Sequence, residues 1–127
     1  MFGENRINGI EKVKIDSKNR IRLPKFTGAE KGEELIVLKY VNELLLLNKH
    51  DYNLIINYFF NLSKTSATME ERAKYRMIVR VLCANSYDGI KCDKNYMITL
   101  PIRFETDEVA LKGVSKHLVL KPAKREV

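Results

Sequence analysis

A chain of 127 residues with 45% apolar and 31% charged side chains suits one compact domain, or two half-domains sharing a core, and excludes a disordered chain. Its 23 Lys and Arg against 16 Asp and Glu give a formal net charge of +7, which favours polyanionic partners without fixing a fold. No apolar run reaches the ~18 residues of a membrane span, MFGENRINGIEK lacks a signal-peptide core, and Cys83 and Cys92 show no CxxC spacing. A reduced cytoplasmic protein with both cysteines in the core is expected.

The first element is KVKIDSKNRIRLPKF, residues 12–26. Val13, Ile15, Ile21 and Leu23 recur with period two around a polar cluster, which predicts a β-hairpin with those four side chains inward. Alternation sends Lys12, Lys14, Arg20 and Arg22 to the other face, with Lys18 on the turn and Lys25 after the second strand. Directly opposed like charges repel by ~0.2–1 kcal/mol per pair, so the fold gains nothing from this set unless an anion neutralises it. Phosphate does so with release of counterions, and a β-ribbon fits the major groove, where Arg can make two hydrogen bonds to guanine. A solvated hairpin whose lysines block edge pairing accounts for one or two of these cations, and less well for two arginines. The expected DNA-contacting set is Lys12, Lys14, Lys18, Asn19, Arg20 and Arg22. Asp16 is expected to shape the loop by accepting backbone N–H groups or pairing with Arg20, and Asn19 suits a positive-φ position.

ELIVLK (34–39) reads as a strand, and YVNELLLLNK as a turn at Asn42–Glu43 followed by another strand. DYNLIINYFFNLS (51–63) reads as a helix capped by Asp51. Its apolar residues fall on two sides: Ile55, Tyr58, Phe59 and Leu62 on one, Tyr52, Ile56 and Phe60 on the other. That predicts either a subunit interface or a helix clamped between two halves of the chain. A capping box at Thr68 and Glu71 opens a second helix, MEERAKYRMIVRVLCA, with Met77, Ile78, Val81 and Leu82 inward. Arg72, Arg76 and Arg80 form a stripe, with no carboxylate four residues before Arg76 or Arg80. Ile55, Phe59, Arg76 and Arg80 are therefore assigned to assembly.

The hairpin then recurs. IKCDKNYMITLP (90–101) lies over VKIDSKNRIRLP (13–24) without a gap, at a constant offset of 77 residues. The outward face of this copy reads Gly89, Lys91, Met97 and Thr99, so weaker DNA contact is expected, through Lys91, Lys94 and Asn95. Asp93 takes the loop-shaping place of Asp16, whereas Tyr96 replaces Asn19 and predicts a different turn. FETDEVALKG (104–113) reads as one or two helical turns ended by Gly113. HLVLK (117–121) matches ELIVLK, and a counterpart of the next strand is expected to be missing, leaving an open edge. The organisation is a first unit over 1–50, a helix pair over 51–85 and a shortened second unit over 86–127.

Catalytic signals are sparse. His50 and His117 are isolated, and the chain has no phosphate-binding glycine loop, no HExxH and no zinc-ligand spacing. No enzyme activity, metal, cofactor or small-molecule substrate is expected.

The stretch DSKNRIRLP is similar to the Asp-x-Lys-Gly-Arg signature, with apolar strand and Pro, of the MraZ family, regulators of the division and cell-wall cluster. RMIVR (76–80) resembles that family's Arg-x-x-x-Arg helix segment, and FGE (2–4) its start. The resemblance implies an α+β fold of two repeated swapped-hairpin β-barrel halves of SpoVT/AbrB type with a central helix pair. It also implies a ring-like homo-oligomer, nucleoid-associated, that regulates transcription by contacting double-stranded promoter DNA through Asp16, Lys18 and Arg20, with Asp16 shaping the loop. Asn19 and Tyr96 stand where the family has Gly, and Met97 where it has Arg. Two other functions use the same features: an antitoxin-like or adaptor module docking through the apolar first helix, and a scaffold binding polyanions without sequence preference.

Overall fold

The computed structural model describes residues 1–123. Its elements are β1 (Ile10–Lys14), β2 (Arg20–Arg22), a 3-10 turn (Lys25–Thr27), β3 (Glu34–Tyr40), β4 (Glu43–Asn48), α1 (Lys49–Thr65), α2 (Met69–Ala84), β5 (Ser86–Lys91), β6 (Met97–Thr99), β7 (Glu108–Val114) and β8 (His117–Pro122). The class is α+β. One six-stranded sheet runs in the order β1-β7-β8-β4-β3-β5, and a separate two-stranded sheet joins β2 to β6. Every strand pair is antiparallel. The larger sheet is open, with β1 and β5 at its edges, and no closed barrel forms among the described residues.

The inward set expected from period two holds. Ile21, Leu23, Cys92, Ile98 and Leu100 are buried in one cluster with Leu35, Val37, Leu44, Leu46, Val109, Leu111, Leu118 and Leu120, and Val13, Ile15 and Ile90 pack against it. The pairing does not hold. β1 and β2 form no ladder with each other: β1 pairs with β7, with Val13 opposite Val109, and β2 pairs with β6, with Ile21 opposite Ile98. β5 likewise pairs with β3. Apolar alternation specifies which face of a strand is dry, and it is equally satisfied by a partner far away in sequence. The segments 1–50 and 86–127 therefore share one sheet.

Residues 104–113 are not helical, and the stretch from Glu108 on belongs to β7. Thr106 Oγ1 donates to the carbonyl of Glu108 at 2.8 Å, at the entry to the strand. Gly113 does not end a helix. A Cβ there would collide with the carbonyl oxygen of Ile7, so the glycine permits the N-terminal segment to lie on β7. With β7 a strand, the repeat equivalences move by one. β3 turns into β4 through Val41–Asn42, one residue before the expected turn, and β7 turns into β8 through Ser115–Lys116. Val41 and Ser115 take φ of 54° and 56° at the first turn position. β8 therefore answers to β4, lies inside the sheet between β7 and β4, and leaves no open edge after it.

α1 stands on the β3–β4 region, where Ile36 and Leu47 pair and are buried, and α2 packs against α1. α1 is capped by Asn48 rather than Asp51. The Asn48 side-chain oxygen accepts from the Asp51 N–H at 2.7 Å, and its Nδ2 donates to the Phe2 carbonyl at 2.7 Å. Asp51 looks like a cap in sequence because a carboxylate is also favoured in the first turn. α2 starts as expected, with Thr68 Oγ1 accepting from the Glu71 N–H at 3.1 Å. Ile78 and Leu82 are half-buried, but Met77 and Val81 point outward, 57% and 51% exposed. No helix among the described residues is long and apolar enough to cross a membrane.

Candidate nucleic-acid interface

The two repeated turns meet at the β2–β6 ribbon. In the first, the Asp16 N–H donates to the Arg20 carbonyl (3.0 Å), the Asn19 N–H to the Asp16 carbonyl (3.0 Å), and Asp16 Oδ1 accepts from the Lys18 and Arg20 N–H groups (2.9 and 2.8 Å). In the second, the Asp93 N–H donates to the Met97 carbonyl (2.9 Å), the Tyr96 N–H to the Asp93 carbonyl (3.1 Å), and Asp93 Oδ1 accepts from the Asn95 and Met97 N–H groups (2.7 and 2.9 Å). Asn19 and Tyr96 both take φ of 61°. The second turn therefore does not differ: the aspartate holds its backbone even with a tyrosine in the left-handed region.

Equivalent positions also pair with each other. Ile21 faces Ile98, its counterpart in the repeat, while Arg20 faces Thr99 and Arg22 faces Met97. The Leu23 N–H donates to the Tyr96 carbonyl and the Leu100 N–H to the Asn19 carbonyl, each at 2.8 Å, so an approximate two-fold axis runs through the Ile21–Ile98 pair. Each strand carries one inward apolar residue flanked by two outward ones, which yields an outer face of Arg20, Arg22, Met97 and Thr99.

This arrangement separates the expected cations. Lys12 and Lys14 lie on the edge strand β1 of the large sheet, opposite Ala110 and Glu108, whereas Arg20 and Arg22 lie on the ribbon. The four are not opposed across one ladder, so the repulsion expected of a self-paired hairpin is relieved by the exchange of strands. Lys12, Lys14, Lys18 and Arg22 are exposed, and no carboxylate lies within 4.0 Å of any of them among the described residues. Arg20 is different. Its Nε donates to Asp16 Oδ2 at 2.9 Å, and its Nη1 stands 3.9 Å from Asp93 Oδ2, so it ties the two turns together. Asn19 is also engaged, its Nδ2 donating to the carbonyls of Leu100 and Ile102 at 3.1 and 2.9 Å. Lys91, Lys94 and Asn95 are exposed on the second copy.

Both turn aspartates are held below the usual carboxylate range. For Asp16 the first cause is the Arg20 backbone N–H, helped by the Arg20 side chain and the Lys18 N–H and opposed by partial desolvation. For Asp93 it is the Met97 N–H, helped by Asn95 and by the charges of Arg20 and Lys94, again against desolvation. Each loop is thus built around an anion that stays ionised at neutral pH.

On the helix pair, Ile55 and Phe59 are half-buried, and the Phe59 ring packs on Tyr58 (5.3 Å between centroids) and Tyr75 (6.2 Å). Arg76 and Arg80 are exposed, whereas Arg72 Nη1 donates to the Ser66 carbonyl at 3.1 Å. Both cysteines are free. Cys92 is in the core, where burial raises its thiol pKa with help from Asp93 and Glu33, but Cys83 is exposed rather than in the core. No group of three His, Cys, Asp or Glu comes together as a metal site among the described residues.

Sequence reading missed two contributions: the reach of Asp93 to Arg20, and Lys31, whose Nζ stands 5.7 Å from the Tyr96 ring centroid. The first was accessible from the repeat, since pairing equivalent residues across a two-fold brings the turns together. The second has no local signal, because 65 positions separate the two residues. Neither a family model nor a curated protein matches this chain.

Proposed function

We propose that the chain is a sequence-specific DNA-binding transcriptional regulator of MraZ-like type, an oligomer that lays the β2–β6 ribbon and the Lys18 turn on double-stranded DNA. The observation that carries this reading is the exposed set Lys12, Lys14, Lys18 and Arg22, none of which has a carboxylate within 4.0 Å among the described residues. Phosphate is the counter-ion such a set takes up with a gain in counterion entropy. Arg20 serves on this reading as the residue that positions both turns, and Arg22 as the freer contact. The exchange of β1, β2 and β5 between the halves supports a swapped-hairpin arrangement of SpoVT/AbrB kind. Association with the nucleoid, and a binding rather than an enzymatic role, follow from the same reading.

The test is a gel shift of the full chain against its own upstream duplex at about 50 and about 200 mM salt. Affinity falls steeply with salt, and Lys18→Ala and Arg22→Ala each lower the log–log slope by about 1. Unchanged slopes in both variants, or no shift at the lower salt, sink the reading.

Assembly is supported by apolar side chains exposed on the helix pair: Leu54, Tyr58, Phe60, Met69, Met77 and Val81 are all between 46% and 77% exposed. Light scattering gives a mass of many subunits if the helix pair builds a ring. A stable dimer favours the antitoxin-like or adaptor alternative, and a monomer removes assembly from the proposal.

A further inference from the structure

The two positive-φ positions are put to different use. Asn19 sends both amide hydrogens to the Leu100 and Ile102 carbonyls and closes the ribbon against the loop after β6. Tyr96 occupies the equivalent place with the same φ of 61°, but a phenol has a single donor and cannot make that clamp. A cavity of about 290 Å³ remains beside it, lined by Arg22, Leu23, Pro24, Lys25, Ala29 and Tyr96. No carboxylate is among these residues, and Lys31, with its Nζ 5.7 Å from the ring centroid, adds a third cation nearby.

The ring is therefore held at a conformational cost, 40% exposed, beside an apolar floor with cations at its mouth. We propose that this cavity binds a nucleotide, its planar base against the face of Tyr96 and its phosphate held by Arg22 and Lys25. The volume lies just below the ~300–1,000 Å³ usual for small-ligand sites, which suits one ring system rather than an extended chain. Stacking on an aromatic face tolerates any base, and a guanidinium beside an ammonium matches a phosphate. A free mononucleotide and an unpaired nucleotide at a strand end share this chemistry. The inference stands on the Tyr96 cavity and does not require the duplex reading.

Calorimetric titration of the full chain with AMP and with inorganic phosphate tests it. AMP binds about tenfold more tightly than phosphate, the usual scale of one base–aromatic stack. Tyr96→Asn, which installs the residue of the first turn and relieves the backbone, removes that margin, and Tyr96→Phe keeps it. Arg22→Ala weakens AMP and phosphate alike. A duplex with a single-nucleotide overhang that displaces AMP better than the blunt duplex, which competes only through Arg22, assigns the ligand to strand ends; no advantage of the overhang assigns it to the free nucleotide. Equal affinity for AMP and phosphate, or unchanged AMP affinity in Tyr96→Asn, overturns the proposal. Blunt-duplex binding is read in parallel, so that its absence beside intact AMP binding counts against the duplex reading alone.

Discussion

The turns at Asp16–Arg20 and Asp93–Met97 close with the same backbone bonds and the same positive φ, yet one presents Asn19 and Arg20 and the other Tyr96 and Met97. What they share is an aspartate whose Oδ1 takes two N–H groups from within the turn. The carboxylate, not the residue in the left-handed region, fixes the backbone, and the side chains beyond it are free to diverge in chemistry. The first copy spends its side chains on joining the halves: Asn19 reaches the loop after β6, and Arg20 reaches Asp93. The second leaves an aromatic ring and a cavity.

The comparison breaks most visibly at its axis. Ile21 and Ile98 are fully buried and face each other, so Ile21→Ala and Ile98→Ala each cost about 2–5 kcal/mol in urea unfolding. Near-equal losses mark the two sites as equivalent; a loss at one site alone shows that the ribbon is not the shared core it is taken to be. Asn19→Tyr comes next. It removes two hydrogen bonds to partly buried carbonyls and places a second tyrosine at positive φ, for about 1–3 kcal/mol. A neutral result shows that the clamp contributes nothing.

The parts legible in sequence were those set by local pattern. Period two places Ile21, Leu23, Ile98 and Leu100 inward, the turn positions of Asp16 and Asp93 mark them as loop-shaping, and the Thr68 cap locates α2. Strand exchange was not legible, because a hairpin and two swapped strands have the same alternation, and only the register across the repeat tells them apart. β7 was hidden by Gly113, which resembles a helix end but serves a close backbone contact. The cation set was legible as residues but not as a surface. Its division between β1 and the ribbon, and the reach of Arg20 to Asp93, depend on partners far away in sequence.

A smaller difference separates the two aspartates in acid. Both have folded-state pKa values below the usual one, so the unfolded chain binds more protons, stability rises with pH, and their contribution is complete above the unfolded value of ~3.9. It is lost as pH falls through the lower folded values. Asp16 has a hydrogen-bonded Arg20 side chain that Asp93 lacks, since Asp93 meets the same guanidinium only at 3.9 Å. Asp16→Asn therefore flattens the fall of the urea midpoint between about pH 4 and pH 2 more than Asp93→Asn does. Equal flattening shows that the backbone bonds alone set the acid response.

The smallest effect has the opposite sign. Tyr96→Asn replaces a residue that tolerates the left-handed region poorly with one that visits it readily, at a position 40% exposed where the buried part of the ring offsets some of the gain. Unfolding free energy rises by up to about 1 kcal/mol, read as a higher urea midpoint with an unchanged denaturant slope. Paired with loss of AMP binding, that gain makes Tyr96 a residue kept against stability for what its ring contacts, the usual exchange at a binding site. A destabilised Tyr96→Asn instead makes the ring a packing element for Lys31 and the Leu23–Pro24 floor. The asymmetry between the turns is then one of support on both sides, with Asn19 bonding and Tyr96 filling.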